Sequence, residues 1–371
     1  MTSKKNPTKR DRILTSSAIL AASLGLAYAP LPGSQRTIVI ISGSELQEPL
    51  QILEAKFEQQ NPNIQVEFKF QGSQDIANQF LNQTQNFKPT VIIPANAETI
   101  SEIQDRWLAG NKENPFDGEP NAIAKTRLVA VSWGDRGKAL FPDGQFRWER
   151  LEQAMQKQNW GAIATQHSNW GSFDFVMTDP ARSNSGQLIL GLWAQTKLGQ
   201  PLTYDSVNQP KIQQLFQLVK RSVYQPKRSS DDMLKEFIAQ GANQGDVAIA
   251  YESNALYRLQ QSAKNQINPY QIYYLDQTVE TVSTAAVLKQ GDWATADAAK
   301  QFVNFLTQPE QQKVFVQYGF RPVNPQVDLQ TVPNSPWNQN LPGVQLNPPG
   351  QVLTSPNWET QIEVVRQWER S

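Results

Sequence analysis

From residue 37 onward the chain alternates between two hydrophobic periods, and this alternation constrains the fold more than any single residue does. Thr37–Ser42 (TIVIIS) is a short β-rich run. Leu46, Leu50, Leu53 and Phe57 then recur at steps of 4, 3 and 4, one face of a helix, which Asn61-Pro62-Asn63 stops. Ile64, Val66, Phe68 and Phe70 alternate as in a strand, and Ile76, Phe80 and Leu81 mark a second helix after Gly72-Ser73. Val91–Ile93 is a third strand, Ile100, Ile103 and Trp107 a third helix, and Arg127–Ser132 a fourth strand. Strand, helix, strand, helix predicts an α/β fold, a parallel sheet with covering helices. The style continues with strands at Phe173–Thr178, Val247–Tyr251, Gln271–Leu275 and Ser283–Leu288. Helices are expected from Ser185, near 208–220, 231–240 and 294–306, and from Pro309 to Gly319, where proline opens the element and glycine closes it. There is no internal repeat. Residues 322–371 hold eight of the 24 prolines, with periodicity only at Trp358–Trp368, and read as a surface-hugging tail.

Ahead of this body stands a different kind of segment. Residues 1–12 carry Lys4, Lys5, Lys9, Arg10 and Arg12 against Asp11, and Ile13–Ala29 is an apolar run of 17 residues. A basic start followed by such a run is an export signal. Ala27-Tyr28-Ala29 has the small-x-small form of a cleavage site, but Pro30 would follow the cut. An uncleaved anchor over residues 13–31 is therefore the second expectation for a short span.

Composition narrows the chemistry. With 34 basic and 34 acidic residues the chain has no formal net charge, which argues against nucleic-acid binding. It has no cysteine and one histidine, so thiol chemistry, disulfides and histidine-built metal centres are excluded. No G-x-S-x-G, Walker A or G-x-G-x-x-G loop occurs. His167, in a polar loop, reads as a surface residue and not a base. No enzyme activity and no cofactor are expected.

What remains is the set of polar turns between strands and helices. Ser42, Gly43 and Ser44 follow the first strand, and Ser44-x-x-Gln47 also fits a capping box. Pro49 is expected to be the first residue of the helix, leaving free N–H groups before it. Gly72-Ser73 repeats the arrangement. Free N–H groups at a helix start suit an anion or a hydroxyl-rich solute. Arg182-Ser183-Asn184-Ser185-Gly186 is the most polar turn before an apolar helix: Arg182 for an anion, Ser183 and Ser185 for hydroxyls, Gly186 for close backbone approach. Ser132 ends the fourth strand. Glu252, beside Tyr251, suits a polyol or amine better than an anion. Among the tryptophans, Trp107, Trp133, Trp160, Trp170 and Trp193 offer either sugar stacking or packing.

The order of several motifs resembles a known family. They are Ser42-Gly43-Ser44, Gly72-Ser73, Thr178-Asp179-Pro180 with Ser183-Asn184-Ser185-Gly186, Gly245–Tyr251, Ala285–Lys289 and Gly319-Phe320-Arg321-Pro322. Together they resemble a type II periplasmic solute-binding protein of an ABC importer, in the molybdate-, sulfate- and phosphate-like branch. The resemblance implies a two-lobed periplasmic-binding-protein-like II fold, each lobe a mostly parallel sheet flanked by helices, with two hinge crossovers. It divides the chain into 1–36 (signal or anchor), 37–133 plus 280–322 (lobe one), 134–279 (lobe two) and 323–371 (tail). It implies a ligand cleft built from Ser42, Gly43, Ser44, Gly72, Ser73, Ser132, Arg182, Ser183, Ser185, Gly186 and Tyr251, where Tyr251 matches a ligand-contacting tyrosine of the molybdate-type relatives. The function implied is capture of a small polar ligand, an oxyanion first and a sugar or other polar metabolite second, by a monomer that delivers it to the membrane subunits of an importer. The alternative is an envelope sensory or interaction protein reusing the fold, with the tail as its docking element.

Overall fold

The computed structural model describes residues 35–371, apart from 112, 244, 263–268 and 290. The expected export segment and anchor lie outside the described residues. In the first half, β1 (Arg36–Gly43), α1 (Gln47–Gln60), β2 (Ile64–Gln71), α2 (Ser73–Leu81), β3 (Val91–Ile93) and α3 (Ala97–Gly110) follow one another. Strand β1 lies between β2 and β3 and is parallel to both. Its side chains serve two cores. Ile38 and Ile40 join Leu46, Leu50, Leu53 and Phe57 on one face, while Ile41 joins Ile76, Phe80, Ile100 and Ile103 on the other. A strand covered on both faces needs an unbroken apolar run, which is why TIVIIS does not alternate.

The middle of the chain builds a second lobe. It contains β4 (Asn121–Trp133), α4 (Gly134–Leu140), α5 (Trp148–Lys157), α6 (Trp160–Ile163), β5 (Phe175–Val176), α7 (Asn184–Leu198), α8 (Tyr204–Val207), α9 (Pro210–Ser222), α10 (Ser230–Gln240), β6 (Val247–Tyr251), α11 (Glu252–Ser262) and β7 (Tyr270–Tyr274). Leu128, Ala130, Ile249 and Tyr251 face one core, and Val129, Val131, Ala248 and Ala250 face the other. The chain returns through β8 (Gln277–Val287) to α12 (Trp293–Leu306) and α13 (Pro309–Gln317), which complete the first lobe's core with Phe302 and Phe315.

Two long strands join the lobes. Strand β4 is antiparallel to β8 over residues 121–127 and antiparallel to β6 and β7 over 128–133. It changes partners between Arg127, opposite Glu280, and Leu128, opposite Tyr251, so the crossing falls within the strand and not after it. The expected mostly parallel character therefore holds for β1–β3, and for β5 beside β6, but not at the crossing strands. One chain going out and coming back must run in opposite directions. The sheet order β2-β1-β3-β8-β4-β6-β5 is continuous through this junction.

The tail is more deeply built in than its composition predicts. Trp337 packs in the second lobe's core, β9 (Gln351–Leu353) pairs with β8, and α14 (Trp358–Arg370) buries Val364 and Trp368. Trp358 Nε1 donates to Asp105 Oδ2 of α3 at 2.9 Å, so the tail spans both lobes.

Candidate functional site

The wall contributed by the first lobe forms where β1 and β2 end. After Gly43 the chain makes a 3₁₀ turn, Ser44–Leu46, and runs directly into α1; no side chain caps it. Pro49 is the third residue of α1, not the first, and is tolerated there because first-turn N–H groups have no helical partner. Ser42 is fully buried, and its hydroxyl donates to Gly43 O at 3.3 Å. Glu45 folds back over the turn: its Oε1 lies 2.1 Å from the point that a Cβ on residue 43 would occupy. That oxygen is buried and has no hydrogen-bond partner. Burial raises the carboxyl's pKa to about 7. At the second turn Gly72 precedes α2, again without a side-chain cap. Ser73 Oγ accepts from Ala95 N–H at 2.9 Å and so ties α2 to the turn after β3.

The facing wall comes from the start of α7 and the end of β6. Asn184 Nδ2 donates to Tyr251 Oη at 2.8 Å, and Asn184 Oδ1 is buried without a partner. The Tyr251 ring belongs to the second lobe's core. Its hydroxyl pKa lies well above the usual value through burial first and then through the charge of Glu45, which faces it from the other lobe. Ser185 Oγ has three hydroxyl neighbours, Thr178 at 2.8 Å, Ser183 at 3.0 Å and Ser230 at 2.6 Å. A hydroxyl makes three bonds at most, so Ser185 fastens α7 to α10 and has nothing left for a solute. Gly186 serves the same junction, since a side chain there would meet Thr178 O.

The lobes touch. Gln74 Nε2 donates to Gln187 Oε1 at 3.0 Å, and Gln187 Nε2 is left without a partner. A Cβ on Gly72 would stand 2.8 Å from Arg182 O. Arg258 Nη2 donates to Glu48 Oε1 at 2.7 Å across the gap and to Asp231 Oδ2 of its own lobe at 2.8 Å. Burial pushes Asp231 up, but the bonds from Arg258 and Lys235 outweigh it and hold this carboxyl below its usual range. Between these groups lies a cavity of about 50 Å³, lined by Ser44, Glu45 and Glu48 on one side and Asp231, Asn254 and Arg258 on the other.

Several expected contributors stand elsewhere. Ser132 lies opposite Val247, at the far end of β6 from Tyr251, and its hydroxyl donates to Asp246 O at 2.7 Å. Glu252 is not offered to a solute: Arg321 donates to both of its oxygens at 2.8 Å. Arg182 is exposed, and its carbonyl is the group that lies against Gly72 of the other lobe. Trp133, Trp160 and Trp193 are core residues. His167 stacks on Trp170 at 3.8 Å. Glu45, Glu48, Gln74, Gln187, Asn254 and Arg258 stand at the site without a sequence motif to mark them. Asn184 stands inside the polar turn, Gln74–Gln187 and Glu48–Arg258 pair over distances in sequence that leave no local signal, and the unpaired oxygens of Glu45 and Asn254 are a property of the folded chain alone.

Among the described residues, none form a cluster of acidic or histidine side chains suited to a metal ion, and no helix is long and apolar enough to cross a membrane. The family described as bacterial extracellular solute-binding protein matches residues 38–321. The chain belongs to this family. Solute-binding proteins of this kind bind small ligands for ABC importers. Solved structures agree on the two-lobed fold. The sulfate-binding protein SubI from Mycobacterium tuberculosis H37Rv is 20% identical, with a TM-score of 0.56 over 78% of this chain and 88% of that one. A ferric binding protein from Campylobacter jejuni is 16% identical, with a TM-score of 0.59 over 90% of this chain and 98% of that one. A periplasmic thiamin binding protein is 14% identical, with a TM-score of 0.62 over 90% of this chain and 95% of that one. No curated protein matches the chain.

Proposed function

We propose that this solute-binding protein works outside the cytoplasm as a monomer. It holds one small polar solute between its lobes and presents the closed form to an importer, without covalent chemistry. The supporting observation is that both lobes carry buried polar atoms without partners near where they meet: Glu45 Oε1 on one, Asn184 Oδ1 and Gln187 Nε2 on the other. Leaving such an atom buried and unpaired costs about 1–3 kcal/mol, so a solute that satisfies several gains what the empty cleft lacks. Two of the three are acceptors. They favour a polar metabolite that carries hydrogen-bond donors, and this ranks above the oxyanion expected from sequence. The oxyanion is the second reading, favoured by the uncapped helix starts at Ser44, Ser73 and Asn184. Ser44, Gly72, Ser183 and Tyr251 stay in the proposed site as backbone or framing groups. Residues 1–36 are proposed to direct export, tested by fusing them to a reporter and finding it outside the cytoplasm.

A thermal-shift panel of oxyanions, sugars, amines and amino acids tests the binding role. A solute at 100 times its Kd adds about 2.7 kcal/mol of stability. A melting temperature that no member of the panel raises would count against it.

A further inference from the structure

Resting on that reading, we infer that the cavity between the Ser44–Leu46 turn and α11 receives a primary ammonium group of the solute, with Glu45 Oε1 and Asn254 Oδ1 accepting its hydrogen bonds. Asn254 is only 7% exposed, it lines the cavity, and its Oδ1 has no partner. Glu45 Oε1 lines the same cavity and is likewise unpaired. Two buried acceptors from opposite lobes that receive no hydrogen bond from the protein call for a donor-rich group, and an ammonium has three N–H bonds and no lone pair. The cavity, about 50 Å³, holds a head group and not a whole metabolite.

Charge points the same way. Glu45, Glu48 and Asp231 line the cavity together with Arg258 and Lys235. Both cations are already engaged: Arg258 by Asp231 and Glu48 at 2.7 Å each, Lys235 by Asp231 at 2.7 Å. One negative charge is in excess when Glu45 is ionised, and a bound ammonium balances it. An oxyanion meets the opposite situation. The Glu45 carboxylate already lies over the turn whose N–H groups would bind that anion, so Glu45 must take up a proton or swing away. Burial raises the neighbouring phenols of Tyr251 and Tyr257 above their ordinary value, so neither supplies a competing charge near pH 7. Proton linkage therefore has opposite signs for the two ligand classes. An ammonium makes Glu45 release its proton, whereas an oxyanion makes it bind one.

The full chain is titrated with ethanolamine and with 1,4-diaminobutane, and in parallel with sodium sulfate and with glucose, at equal ionic strength. Calorimetry is run at pH 7 in two buffers of different ionisation enthalpy that contain no primary amine. The expected result is 1:1 binding of an ammonium probe with release of about half a proton, since Glu45 titrates at about 7. Glu45→Gln and Asn254→Ala are each expected to weaken that binding at least tenfold, and Glu45→Gln to abolish the proton release while melting as a cooperative fold. Binding of sulfate with proton uptake, or of glucose with none, would overturn the ammonium assignment and leave the solute-binding role standing. Absence of binding by either ammonium probe also overturns the assignment. Only failure of all four probes and of the wider panel bears on the role itself.

Discussion

Arg258 and Glu48 meet across the cleft at 2.7 Å, although 210 positions separate them in the chain. The same guanidinium is held by both oxygens of Asp231, at 2.7 and 2.8 Å, so its position is fixed by its own lobe before it reaches for the other. The pair is thus a latch with one prepared half. Glu48 retains about a third of its side-chain exposure, and an ion pair with one partner open to solvent contributes about 1 kcal/mol. Glu48→Gln is expected to leave folding stability almost unchanged and to shift the closed-to-open ratio toward open by up to about fivefold. Small-angle scattering checks this: a larger radius of gyration in the variant supports the latch, and identical curves oppose it.

Gly72 gives a sharper test of closure, because its role is steric. A Cβ there would stand 2.8 Å from the Arg182 carbonyl on the opposite lobe, with the next group, Asp75 Oδ2, at 3.8 Å. Gly72→Ala is therefore compatible with each lobe separately and incompatible with this degree of closure. It should reduce solute affinity tenfold or more, with the melting temperature of the solute-free protein unchanged within a few degrees. By contrast Arg182→Ala, which removes an exposed side chain and leaves the carbonyl, should bind nearly as well as the parent. Normal affinity in Gly72→Ala would mean that the two turns do not approach during binding.

The carboxyl of Glu45 makes stability depend on pH in a definite direction. Its pKa is raised from the ordinary 4.5 to about 7 in the folded chain, so the folded state binds its proton more tightly than the unfolded state does. The stability this provides is fully present below about pH 4.5 and is lost as pH rises to about 7. Asp246, raised by burial from 3.8 to about 6 despite the nearby Arg136, acts in the same sense at lower pH. Melting curves of the parent and of Glu45→Gln between pH 4.5 and 7.5 isolate the first contribution. The parent should lose stability more steeply than the variant. Parallel curves would show a solvated Glu45.

The alternation of periods sufficed to read β1–β3 and α1–α3, which cover one another in sequence order, and the return through α12 and α13, whose apolar faces are legible although they pack on β1 and α1. It was insufficient at β4 and β8. There one strand serves two lobes, and nothing local marks Arg127 as the last residue of one pairing and Leu128 as the first of the next. The tail was hidden for a related reason: its many prolines suggest surface, yet Trp337 and Trp368 find cores laid down far earlier in the chain. At the site, the turns at 42–44, 72–73 and 182–186 could be read because a strand followed by small polar residues and a helix is a local pattern. What they do was less visible. Ser185, Ser73 and Ser132 spend their hydroxyls on structure, and the unpaired atoms belong to neighbours such as Glu45, Gln187 and Asn254. Whether a polar atom is paired is decided by three-dimensional contacts, not by residue type.

The central claim is that one solute is read by both lobes at once, and calorimetry on a donor-bearing solute found in the panel tests it most directly. The parent should bind at one to one. Glu45→Gln on the first lobe and Tyr251→Phe on the second, which deprives Asn184 Nδ2 of its acceptor, should each lower affinity by about 1–3 kcal/mol while remaining folded. Unchanged affinity in both variants would contradict the account and put the solute outside this cleft.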